Sequence, residues 1–194
     1  MMIKRKSYPG GWFILILFAA ICAGPSSTRA HAEPFPSFGS GLIQVRLYTD
    51  YFCPPCRGME PAIKPVLRDL IKGNSIRLTL VDTPFSTYSS LYAKYFLYAL
   101  NAKNDFEHAL LIQHNLYAAT TNKHITTPEK IEGLFESKGL TFTAFDTGPV
   151  FGQYNILIKE DKINATPSCV IIKNGRKDTY VGALDIIKAL TGLR

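Results

Sequence analysis

Cys53-Pro54-Pro55-Cys56 lies between two segments of different hydrophobic period. Residues 42–48 (LIQVRLY) place Ile43, Val45 and Leu47 at alternate positions, the period of a strand. Downstream, Ile63, Val66, Leu67, Leu70 and Ile71 recur at i, i+3, i+4, i+7 and i+8, one face of a helix that Gly73-Asn74 ends. Residues 76–81 (IRLTLV) read as a second strand, so the unit predicts two parallel strands joined by a right-handed crossover. The cysteine pair therefore falls where a strand hands over to a helix, and the fold must present it there.

That position suits thiol chemistry. A helix N-terminus carries unpaired N–H groups and partial positive charge, which favour a thiolate, and the thiolate is the species that attacks a disulfide. Cys53 at the helix edge reads as the nucleophile, and Cys56 one turn inside as the resolving thiol. Pro54 fits the first helical position, whereas Pro55 removes a second N–H from the turn that faces Cys53. A structural disulfide and half a zinc site are the competing readings. Zinc usually takes four ligands; there is no second C-x-x-C, and His108, His114 and His124 lack ligand spacing. No metal site is assigned.

Residues 1–32 read as an export signal. Lys4, Arg5 and Lys6 precede an apolar run from Trp12 to Ala23, and Ala30-His31-Ala32 is a small-x-small cleavage site. The run is short of the ~20 residues that span a bilayer, so a retained anchor is the weaker alternative and a membrane-spanning mature protein is not expected. Ile21 before Cys22 argues against a lipoprotein cysteine. Cleavage near Ala32 would take Lys4, Arg5, Lys6 and Arg29 but no acid, lowering the net charge from +7 to +3. The remaining basic residues are scattered, which removes the case for nucleic-acid binding. An exported chain meets an oxidising compartment, where a close cysteine pair is a redox question.

The rest of the chain completes the plan. Residues 33–41, rich in Pro, Gly and Ser, read as a linker. Residues 85–161 read as an all-helical block. Leu91, Tyr95, Tyr98 and Ala99 mark one helix, a capping box at Asn104 and Glu107 opens a second, Thr127-Pro128-Glu129 starts a third, and residues 149–159 form a fourth. Residues 169–172 and 179–181 pair around an Asn174-Gly175 turn, and residues 183–190 form a closing helix. The expected class is α/β, in the order βαβ, helical block, ββα around a mixed sheet. Residues 42–84 and 162–194 form the main domain.

These residues resemble the thioredoxin-fold, DsbA-like exported oxidoreductases. The resemblance rests on TDYFCPPC (residues 49–56), Pro61, Thr166-Pro167, Lys173-Asn174-Gly175 and Val181-Gly182-Ala183-Leu184, and covers about residues 42–82 and 150–190. It implies a helix-kinking proline at Pro61 and a cis-proline at Pro167 that faces the cysteine pair. The backbone of Thr166 would then accept an extended substrate segment, with Pro54 and Pro55 beside it. No cofactor is implied. One departure stands out: members often carry a buried acid six residues before the first cysteine, and here that residue is Leu47. Asp50 reads as an exposed turn residue. Asp82 is the candidate proton relay in place of the missing acid, or else a strand-end acid.

Cys169 reads as a buried packing cysteine. Tyr51 and Phe52 flank the motif as candidate substrate contacts; Tyr88, Tyr92 and Tyr95 recur at helical spacing and fit either core or a peptide groove. Asn164-Ala165-Thr166 matches a glycosylation sequon that overlaps the active loop. The favoured activity is exchange of the Cys53–Cys56 disulfide or dithiol with exported proteins in the periplasm or beyond, as a DsbA-like oxidase with a membrane redox partner. A reductase or isomerase, for example in cytochrome c maturation, is the alternative. A metal carrier of the same fold ranks lower, because such carriers use a wider cysteine spacing and a histidine.

Overall fold

The computed structural model describes residues 36–121 and 125–194. The export segment, with Cys22, and His124 lie outside the described residues. Among the described residues, eleven elements follow in chain order: β1 (Ser37–Phe38), β2 (Ile43–Thr49), α1 (Pro54–Lys72), β3 (Ile76–Asp82), α2 (Ser89–Ala102), α3 (Phe106–Ala119), α4 (Pro128–Ser137), α5 (Gly148–Glu160), β4 (Ser168–Lys173), β5 (Arg176–Val181) and α6 (Ala183–Thr191). The strands form one mixed sheet in the order β1-β3-β2-β4-β5, in which β2 and β3 run parallel and the other neighbours antiparallel.

The period-2 pattern of the strands sorts the core onto two faces. Val45 and Leu47 of β2, with Cys169 and Ile171 of β4, join the cluster that contains Cys56, Ile63, Leu67 and Leu70 of α1. Tyr48 and Val170 point to the other face, where they meet Val81, Leu97 and the α5 residues Tyr154 and Leu157. Both faces of the central strands are thus covered. The α1 stripe runs the length of the helix, and Cys56 and Met59 extend the apolar face seen in the sequence by two turns toward the N-terminus. Pro61 and Pro65 both lie within the helix, each removing one i→i−4 bond.

Two local readings are corrected. The linker assigned to residues 33–41 does not hold for its second half: Ser37 and Phe38 pair with Thr79 and Leu78 and give β3 an antiparallel edge neighbour. Gly41 makes this approach feasible, since a Cβ there would lie 2.2 Å from the Ser75 carbonyl carbon. The cap of α3 is shifted by one residue: Asp105, not Asn104, accepts from the His108 N–H at 2.8 Å. Glu107 instead pairs with Arg68 of α1 through two bonds of 2.6 and 2.7 Å. Gly73-Asn74 ends α1 as expected, with Gly73 as the C-cap and Asn74 in the left-handed region (φ 51°). The Asn174-Gly175 turn has both residues at positive φ, 52° and 77°, as a two-residue hairpin requires.

A charge cluster pins the end of α5 to the sheet. The Asp161 carboxylate, with a fully buried side chain, accepts from Arg46 of β2 at 3.0 Å, from Lys177 of β5 at 2.6 Å and from the buried Tyr48 hydroxyl. Replacing Asp161 by Ala would leave Arg46 with the Glu160 carboxylate at 3.3 Å and the buried Tyr48 hydroxyl with the Leu157 carbonyl at 3.4 Å, a weaker set of acceptors. Urea unfolding of Asp161→Ala should show a loss of about 2–3 kcal/mol, and a change under about 0.5 kcal/mol would contradict this role.

Candidate active site

Cys53 is the N-cap of α1, with extended backbone (φ −84°, ψ 111°). Its N–H donates to the Asp50 carbonyl at 3.2 Å, and its carbonyl accepts from the Arg57 N–H at 3.2 Å. The first two helical positions are Pro54 and Pro55, which have no N–H to offer. The Cys56 N–H is therefore the first donor the helix presents, and it donates to Cys53 Sγ at 3.3 Å. The same sulfur donates to the Thr166 carbonyl at 3.3 Å. The Thr166–Pro167 peptide is cis, and Gly182 N–H closes the loop onto the Pro167 carbonyl at 2.9 Å. Cys53, Cys56, Thr166 and Pro167 are thus brought together, with Pro54 and Pro55 exposed at the helix tip.

The two sulfurs differ in environment. Both are free thiols; Cys53 is half-buried and Cys56 fully buried. Burial, then the neighbouring Cys53 sulfur, pushes the Cys56 thiol far above the ordinary thiol range. Cys169 is buried opposite Leu47 on β2, and burial lifts its thiol to about 12. Among the described residues, no group of three or more His, Cys, Asp or Glu side chains is placed to hold a metal ion.

Asp50 is not the exposed turn residue expected. It is 3 % exposed, and its carboxylate accepts from the N–H of Phe52 at 2.6 Å, the N–H of Phe85 at 2.7 Å and the Ser89 hydroxyl at 2.8 Å. The bond to Phe52, two residues on, is an Asx turn, the signal in the sequence that would have revealed it. Tyr51 does not face substrate either: it is buried against Tyr92, Phe96 and Tyr117. Phe52 is half-buried and packs on Tyr88 and Tyr92. Of the three spaced tyrosines, Tyr92 and Tyr95 are core and Tyr88 is exposed.

Asp82 ends β3 opposite Thr49 and is buried, with Oδ2 unpartnered; the hydroxyls of Tyr51 and Tyr154 are also buried and unpartnered. Burial, then the charge of Asp50, pushes Asp82 up to about 8 from its ordinary value of 3.8. Burial, with a smaller contribution from Asp82, also raises the phenols of Tyr51, Tyr117 and Tyr154. The folded chain thus holds a proton on Asp82 that the unfolded chain releases near its ordinary value. This stability contribution is complete below about pH 4 and is lost as pH rises toward about 8. Asp82→Asn should lose less thermal stability than the parent between pH 5 and 8 and should exceed it at pH 8. Equal slopes for the two proteins in a pH series of thermal midpoints would rule this out.

With the geometry in place, comparison with known proteins is direct. The thioredoxin family model matches residues 42–179. No curated protein matches the chain. Among solved structures, a periplasmic thioredoxin-like protein from Salmonella enterica serovar Typhimurium is similar at 19% identity and TM-score 0.59, over 81% of this chain and 87% of that one. α-DsbA1 of Wolbachia pipientis is similar at 13% identity and TM-score 0.60, over 80% of this chain and 90% of that one. The thiol-disulfide exchange protein α-DsbA2 of Wolbachia pipientis is similar at 20% identity and TM-score 0.54, over 82% and 87%. The fold is the thioredoxin fold with a helical block between β3 and β4, its structural neighbours are DsbA-like, and the chain belongs to the thioredoxin family.

Proposed function

We infer that the protein is an exported protein thiol–disulfide oxidoreductase, acting as an oxidase of the DsbA-like kind. One observation carries this reading: a half-exposed Cys53 sulfur at the α1 N-terminus, hydrogen-bonded to the Cys56 N–H and facing the Thr166–Pro167 loop, with the Cys56 thiol buried beneath it. The disposition of the sulfurs gives them separate tasks. In the oxidising direction a substrate thiolate attacks the Cys53 sulfur of the Cys53–Cys56 disulfide, and Cys56 departs as a thiolate and takes up a proton. A second substrate thiolate then attacks the substrate sulfur of the mixed disulfide. Substrate leaves with the new disulfide, and the protein keeps both electrons as a dithiol. The membrane partner would reoxidise that dithiol.

The reverse sequence, started by the Cys53 thiolate, reduces or reshuffles a substrate disulfide. TDYFCPPC and the helical block favour the oxidase, and the periplasmic neighbour, together with the export pattern of residues 1–32, supports a periplasmic setting. Equilibration with glutathione buffers separates the directions. A potential near about −120 mV is expected for the oxidase, whereas one near about −270 mV would assign a reductase. Cys53→Ser should fall to the uncatalysed background in a thiol-oxidation assay. Cys56→Ser should accumulate a mixed disulfide at Cys53, seen as a mass adduct. Full activity in Cys53→Ser would refute the mechanism.

A further inference from the structure

The active-site end of α1 carries a cation that the exchange steps leave unused. Arg57 follows Cys56 and stands four residues after Cys53, with its N–H on the Cys53 carbonyl at 3.2 Å. Residues four apart share a helix face, and helical side chains lean toward the N-terminus, so Arg57 leans toward the Cys53 end of that face. This is the face that meets α3. Along it Glu60 reaches His114 and Arg68 reaches Glu107, so α3 runs antiparallel to α1 and brings its C-terminus to the Cys53 end. There Arg57 Nη1 donates to Thr120 Oγ1 at 3.0 Å, and the Thr120 hydroxyl donates in turn to the Tyr117 carbonyl at 2.7 Å. One bond thus fixes the guanidinium on the α3 side of the site, whereas Thr166 and Pro167 approach Cys53 from the β4 side.

Arg57 lacks the counter-charge that arginines elsewhere in the molecule have. Arg46, Arg68, Arg176 and Arg194 each lie within 3.0 Å of a carboxylate. Among the described residues no carboxylate pairs with Arg57, although it is half-buried; its side-chain partner is the Thr120 hydroxyl. A charge withdrawn from water without a counter-ion is costly to keep. A guanidinium has five N–H donors, and Thr120 takes one of them. The prolines of the motif sharpen the point. A helix start usually offers several N–H groups to an anion, but Pro54 and Pro55 have none and the Cys56 N–H is engaged by Cys53 Sγ. An anion that arrives beside Cys53 finds its donors on Arg57.

We propose that Arg57 is a specificity residue of the exchange reaction, whose guanidinium receives a carboxylate placed beside the reacting sulfur of the substrate. That carboxylate is an acidic side chain next to the cysteine of a protein, or the free carboxylate of a small thiol. The inference rests on the exchange reading. The bonds made and broken are those of ordinary exchange: the Cys53 thiolate attacks a substrate sulfur, the bond between them forms, and the substrate S–S bond breaks. The leaving sulfur departs as a thiolate carrying the electron pair. Arg57 moves no proton in this step. It holds the carboxylate through its planar fork while the sulfurs align, a geometry that a lysine would not reproduce.

The test uses the full chain in dithiol form, mixed in turn with an excess of each of four disulfides. These are the symmetrical disulfides of acetyl-Asp-Cys amide and acetyl-Asn-Cys amide, oxidised glutathione, and the neutral hydroxyethyl disulfide. Loss of the dithiol is followed by acid quench, alkylation and mass analysis. Each rate is divided by that of free mercaptoethanol with the same disulfide, which removes the disulfide's own reactivity. The parent should favour Asp over Asn, or glutathione over hydroxyethyl disulfide, by about tenfold, near the lower end of what a hydrogen bond between charged groups contributes. Arg57→Gln should abolish that preference and leave the Asn and hydroxyethyl rates at the parent value. Loss with the Asp peptide assigns an acidic protein side chain; loss with glutathione alone assigns a small thiol. A parent without either preference would overturn the proposal, whether or not the variant folds, and so would a preference that survives in Arg57→Gln. An equal fall with all four disulfides would place Arg57 in the scaffold instead. An equal loss in Lys159→Gln, which removes the same charge from the exposed surface of α5, would assign the effect to overall charge. Were the parent dithiol inert to all four, the exchange reading itself would fall, a result distinct from these.

Discussion

A single buried carboxylate holds the reactive loop in its working shape. Asp50 accepts from the backbone of Phe52 in the β2–α1 loop, from the backbone of Phe85 after β3, and from the Ser89 hydroxyl in the first turn of α2. Its own carbonyl takes the Cys53 N–H. Bonds to a charged acceptor contribute about 1.5–3 kcal/mol each, and a buried charge with fewer partners would be strongly disfavoured. The motif loop and the start of the helical block are therefore tied to one point. The block is anchored to the same residue that seats the nucleophile, and α3 reaches the opposite side of α1 to face Cys56.

That anchor has an electrostatic consequence. Asp82 lies close enough to the Asp50 carboxylate for the two to repel. With no partner on Oδ2, Asp82 relieves the repulsion by keeping its proton. The two acids thus differ in surroundings: the Asp50 carboxylate accepts three hydrogen bonds, while Asp82 has an unpartnered Oδ2 and keeps its proton. Leu47 adds no third carboxyl to this layer, and Cys169 sits directly across from it.

The regular part of this fold was legible in the sequence because periodicity reports burial. The alternation in β2, the stripe of α1 and the Asn174-Gly175 turn each have one physical solution. The failures share a cause as well. β1 has two residues among glycines, too few to show a period, and is held by its partner strand instead. Asp50 and Tyr51 lie in a short loop beside the motif, where local pattern suggests exposure; here the loop is overlaid by α2 and α3, a tertiary fact that local pattern does not encode. Asn104 and Asp105 are both good caps, and Glu107 was diverted to Arg68, which removed the reciprocal bond that would have favoured Asn104.

The prolines between the cysteines show how composition at two positions sets the chemistry at a third. A helix start normally presents several N–H groups, and a sulfur at the N-cap would share them. Here the first two positions are prolines, so Cys53 Sγ has the Cys56 N–H as its donor within the first turn. The donor therefore belongs to the residue whose thiol must later attack that same sulfur. The hydrogen bond holds the Cys56 backbone against the Cys53 sulfur in the dithiol state. What remains to be moved is the Cys56 proton, and burial makes that proton hard to remove. A motif that seats the pair in this way thus shifts the demand onto the environment of Cys56, where the sheet supplies apolar contact and α1 and α3 supply the polar lining.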